Sequence, residues 1–136
     1  MKRRKAREYA LQMLFQLDFT ERAYDDKALE EFWSSKKEQS DIKEFAMDLV
    51  KGTRNNLDKI DAMIETFTDN WLLKRMAAVD RNILRFAAYE ILFRKDIPSA
   101  VTINEALEIA KKYSSTEAAA FLNGVLDRLA KEAGKV

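Results

Sequence analysis

The sequence predicts an all-α fold of about seven helices. Two observations carry that prediction. Only three glycines and one proline occur in 136 residues, too few breakers for a protein of strands and turns. Apolar residues also recur at spacings of three and four along most of the chain, the period of a helix with one buried face. A single domain covering 1–136 fits this length. About two thirds of the unfolded chain's surface can then be buried, so a core forms without staples.

The elements follow in order. The first helix runs from about 4 to 18, because Ala6, Ala10, Met13, Leu14 and Leu17 make one stripe. Phe19 to Asp25 reads as a connection. A shorter second helix turns Leu29, Phe32 and Trp33 inward and is ended by SSKKEQS at 34–40. Asp41, with Glu44 three residues on, is a capping-box-like start for the third helix. Its stripe, Ile42, Phe45, Leu49, Thr53, Leu57, Ile60, Ile64 and Phe67, is sustained for about 26 residues, a helix of roughly 40 Å. Gly52 inside it costs about 1 kcal/mol relative to Ala and leaves room for another helix to approach closely. TDN at 68–70 is a break, and Trp71, Leu72 and Leu73 start a short helix or turn. Residues 77–94, AAVDRNILRFAAYEILFR, are apolar around most of the circumference, as in a central helix packed on several sides. Pro98 in DIPS ends it by restricting the residue before it. A sixth helix covers 101–112 through Ile103, Leu107 and Ala110. Ser114 and Glu117 form a capping box, which opens a last helix through Phe121, Leu122, Val125, Leu126 and Leu129.

Composition narrows the chemistry. There is no Cys and no His, so disulfides, thiolate catalysis and imidazole acid–base work are excluded. No P-loop and no GxGxxG is present, and no cofactor is implied. Acid pairs such as Asp25-Asp26 and Glu30-Glu31 read as solvated helix surface, and nothing converges as a catalytic centre. Glu90 is a carboxylate among apolar neighbours, read either as an i,i+4 partner of Arg94 or as a buried structural hydrogen-bonding group. No run of 18 apolar residues and no signal peptide is found, so the expected location is the cytoplasm.

The strongest local signal is KRRKAR at 2–7. Five cations and no acid stand there, leaving 19 cations (24 less five) against 23 acids elsewhere. The tip is therefore +5 and the remainder −4. Cations at a helix start oppose its dipole by roughly 0.3–1 kcal/mol each. The expectation is an arm that frays when free and orders against a polyanion, with Lys2, Arg3, Arg4, Lys5 and Arg7 each able to meet a phosphate.

Three stretches carry a family resemblance: RRKAREYALQMLFQLD at 3–18, VDRNILRFAAYEILF at 79–93, and DIPSAVTINEALEIAKKYSSTEAAAFLNGVLDRLAKE at 96–132. Together they resemble the NusB family of bacterial transcription antitermination factors. The INEA…AK…FLNGVLD series is the most specific part, with Gly124 matching the family pattern. The resemblance implies two packed three-helix bundles and a non-enzymatic factor. It implies binding to boxA, a single-stranded signal in ribosomal RNA leader transcripts, as a heterodimer with the ribosomal protein NusE. It places that complex with RNA polymerase in antitermination, and some relatives are thought to bury the RNA surface in a homodimer. Arg3, Arg4, Lys5 and Arg7 match the family's arginine-rich arm. Phe121 and Asn123 match an aromatic and an amide of the motif, and Glu117 a usually acidic rim position. Asp80 matches an acid that faces NusE, with Arg81 and Arg85 on the same helix. Ala118 to Ala120 depart from relatives that carry a polar or basic residue there. Two competing readings are an accessory module of the kind fused to ribosomal RNA cytosine methyltransferases, and a helical adaptor that binds only protein.

Overall fold

The structure is a computed structural model that describes residues 2–19, 26–68 and 73–134. The predicted connection at 20–25 and the start of the turn at 69–72 lie outside the described residues. Within them are seven α-helices: α1 (Lys2–Phe19), α2 (Asp26–Ser34), α3 (Ser40–Asn55), α4 (Leu57–Thr66), α5 (Ala78–Phe93), α6 (Ser99–Tyr113) and α7 (Thr116–Glu132). A single 3-10 turn, Leu73–Arg75, precedes α5.

The predicted third helix is two helices. The break is at Asn56, whose side-chain amide donates to the Gly52 carbonyl at 2.8 Å. Its backbone N–H also turns back to the carbonyls of Gly52 and Thr53. Asn56 thus satisfies the open end of α3, while its own carbonyl accepts from Ile60 N–H to start α4. The apolar stripe runs through the break, because Leu49, Thr53, Ile60 and Ile64 are all buried.

Two caps sit one or two residues away from their predicted places. Gln39, not Asp41, precedes the first turn of α3, and its side chain makes no cap bond. Asp41 accepts from Ile42 N–H instead. Ser115, not Ser114, caps α7 by accepting from Ala118 N–H at 3.0 Å. Ser114 closes α6, its N–H reaching the Ala110 carbonyl.

Helix α5 is the axis of the molecule, as its composition predicts. Every residue from Asn82 to Ile91 is buried, and α5 touches α1, α3, α4, α6 and α7. On one side α1, α2 and α3 form a bundle. Tyr9 meets Phe32 and Trp33 edge-on, and the Trp33 indole N–H points at the Met47 sulfur. On the other side α5, α6 and α7 pack together, with α4 against α5 and α7. Full burial of a Leu, Ile or Phe contributes about 1.5–3 kcal/mol, and one contiguous core links both bundles. Gly52 has the close approach expected of it: a Cβ built there would overlap the Tyr89 ring of α5.

Candidate nucleic-acid interface

Residues 2–7 are the first turns of α1, not a frayed arm. Counted along the chain alone, their charges are uncompensated. The structure supplies carboxylates from four other segments. Lys2 pairs with Asp41 of α3 at 3.2 Å and Lys5 with Glu38 at 2.9 Å. Arg4 makes a two-pronged bond to Glu105 of α6, at 2.9 and 2.7 Å. Arg7 does the same to Glu90 of α5, both prongs at 2.7 Å. These acids bring negative charge to the positive end of the α1 dipole, which offsets the penalty. Only Arg3 among the five lacks a carboxylate within the described residues. Its guanidinium lies 4.5 Å from the centre of the Phe45 ring.

Burial divides the arm into two groups. Arg7 is 2% exposed and Glu90 fully buried. A Thr102 hydroxyl donates to the same carboxylate at 2.9 Å. Glu90 is therefore the buried hydrogen-bonding group, while Arg94 serves Asp48 and Asp96 instead. Arg7 is a core residue, and the expectation that it meets a phosphate is corrected by its position. Arg4 is intermediate, and its bond holds the Glu105 carboxyl below the usual carboxylate range. Lys2, Arg3 and Lys5 are exposed. Ion pairs at such sites contribute about 0–1 kcal/mol, so these cations exchange partners at little cost. Glu38 is held low by hydrogen bonds from Lys5 and Tyr9.

Glu105 went unnoticed in the sequence. Its signal was there: it falls among Thr102, Ala106 and Ile109, all buried, just as Glu90 falls among apolar neighbours.

The positions expected to face a protein partner are largely turned inward. Arg81 bonds Asp18 of α1 at 2.8 Å and the carbonyls of Leu73 and Met76. Arg85 grips Asp61 of α4 with two bonds of 2.9 Å. The two arginines do share a face, but that face ties α1 and α4 to α5. Burial pushes the Asp18 carboxyl up, yet hydrogen bonds from Arg81 and Asn82 hold it below its ordinary value. Asp80 is half-buried in the first turn of α5, where the dipole favours an acid. Its Oδ1 is enclosed and has no hydrogen-bond partner among the described residues.

The C-terminal motif is split by helix geometry. Phe121 is 42% exposed, one of three large apolar side chains on the surface of the described residues. Glu117 is exposed one turn before it on the same face. Asn123 is two residues on, rotated by roughly 200°, and lines a different surface, the groove between α6 and α7. The structure does not bring Phe121 and Asn123 together.

Fold and surface define a small all-helical, two-bundle protein that presents one cationic helix end. The chain belongs to the NusB family, whose model matches residues 4–131. The transcription antitermination protein NusB of Thermodesulfovibrio yellowstonii is 52% identical, covering 97% of this chain and 93% of that protein. The protein of the same name from Desulfitobacterium hafniense is 48% identical, covering 99% and 92%. Among solved structures, T. maritima NusB superposes with a TM-score of 0.86 at 43% identity, covering 96% and 91%. A crystal structure of antitermination factors NusB and NusE in complex with dsRNA gives 0.83 at 28% identity, covering 96% and 97%.

Proposed function

We propose that this chain is a transcription antitermination factor that binds RNA together with the ribosomal protein NusE. The RNA is the single-stranded boxA signal of ribosomal leader transcripts. The observation that carries this reading is the cluster of exposed cations, Lys2, Arg3 and Lys5, at the start of α1. It supports phosphate contact by a surface that costs little to uncover. Phe121 adds a base-stacking platform, worth about 1–3 kcal/mol when a base is seated on it. Glu117 marks the rim of that surface. NusE docks at the N-terminal end of α5, where Asp80 lies. Arg81 and Arg85 support that surface from behind by holding α1 and α4. The factor is non-catalytic, takes no cofactor and works in the cytoplasm with RNA polymerase. Among the described residues, no helix is long and apolar enough to cross a membrane.

A titration of labelled boxA RNA with and without NusE tests the reading. Binding that tightens when NusE is present is the expected result. If the chain captures NusE but the pair never shifts the RNA, the protein-only adaptor is the better account.

A further inference from the structure

A groove lies between α6 and α7, with a volume of about 660 Å³. That is within the roughly 300–1,000 Å³ range of small-ligand clefts. Its apolar lining comes from Ile97, Ile103, Leu107 and Ala130, and its polar groups are Lys95, Asn104 and Asn123 with two acids. Both asparagines are exposed. Neither makes a hydrogen bond within the described residues, and Lys95 has no ion pair there. The two acids are already neutralised: Asp96 by Arg94 at 2.9 Å and Asp127 by Lys131 at 3.0 Å. The groove thus offers apolar walls, two free amides and one uncompensated cation.

It is also continuous with the cationic helix start. Arg4 is bonded to Glu105 on α6, the residue next to Asn104. Arg3 and Arg94 both lie on the Phe45 ring, and Arg94 bonds Asp96 at the groove's end. Val101 on α6 stands 46% exposed, one turn before Asn104.

We propose that the α6–α7 groove receives one unpaired nucleobase, with Asn104 and Asn123 bonding its edge and Lys95 holding an adjacent phosphate. An amide presents a donor and an acceptor side by side, which matches a base edge. Apolar walls suit the faces of a base splayed from its neighbours. The proposal rests on the RNA reading above and adds a second base site on the side of α7 away from Phe121.

Fluorescence anisotropy with the full chain tests it, using a boxA RNA oligonucleotide and a set carrying one abasic nucleotide at each position in turn. For the wild-type chain, an abasic nucleotide at one position should weaken binding on the order of tenfold. The Asn104→Ala/Asn123→Ala chain should bind the parent RNA weaker by a similar factor and lose all sensitivity at that position. Both residues are exposed, so its melting should match wild type. A double variant that keeps the wild-type affinity, or the full abasic profile, overturns the groove site while the RNA reading stands. A wild-type chain that binds none of the oligonucleotides overturns both.

Discussion

Arg3 and Arg7 lie one turn apart on the same helix, both against the Phe45 ring, and differ in role. Arg7 holds a buried carboxylate, and Arg3 faces solvent. Removing one partner of a buried pair costs about 3–5 kcal/mol because the other charge is stranded. Arg7→Ala should therefore lower the urea-unfolding free energy by that amount, and Arg7→Met with Glu90→Leu should recover much of it. Arg3→Ala should stay within about 0.5 kcal/mol of wild type and weaken RNA binding instead. Acid sensitivity belongs to this scale too. Glu105 and Glu38 are depressed by their cation partners, and Asp96 is pushed down to about 2 by Arg94. Groups with lowered folded values stabilise the fold above the unfolded range, near 4, and lose that contribution as pH falls further. Urea midpoints should thus be flat from pH 7 to 5 and decline from about 4.5 toward 2. Glu105→Gln should shallow that decline.

At the scale of elements, periodicity revealed most of the fold and local polar bonds decided what it missed. The stripe from Ile42 to Ile64 is buried as read, yet the helix carrying it breaks at Asn56. A one-residue cap leaves the apolar spacing intact, so the pattern could not register it. The same holds for Ser115, one residue from the predicted cap, and Gln39, two residues from it. The central position of α5 was legible because a helix apolar all round must be packed all round. The pairing of KRRKAR was not legible. Asp41, Glu38, Glu90 and Glu105 lie up to 101 residues away in sequence, and charge counting along the chain does not register contacts across it. Gly52 provides the test at this scale. Helix propensity alone says that Gly52→Ala gains about 1 kcal/mol. The overlap with the Tyr89 ring, which is stacked on Phe93 and bonded to Asp48, says that it costs about 1–3 kcal/mol. Thermal melts should show a loss, and relief when Tyr89 is also shortened to Leu.

Across the whole molecule, a net charge of +1 conceals a division of labour. Arg4 and Arg7 join α1 to α6 and α5, which fixes the helix that carries the exposed Lys2, Arg3 and Lys5. The fold thereby provides a rigid cationic end rather than a tail that must order on contact. That division is the centre of the account, and the salt dependence of RNA binding reads it directly. Three phosphate contacts at the start of α1 should contribute about −2 to the slope of log K against log salt for a single strand. In Lys2→Ala/Arg3→Ala/Lys5→Ala the slope should become shallower by about that amount while the urea-unfolding curve barely moves. A triple variant that keeps the wild-type slope, or loses it only by unfolding, would contradict the division.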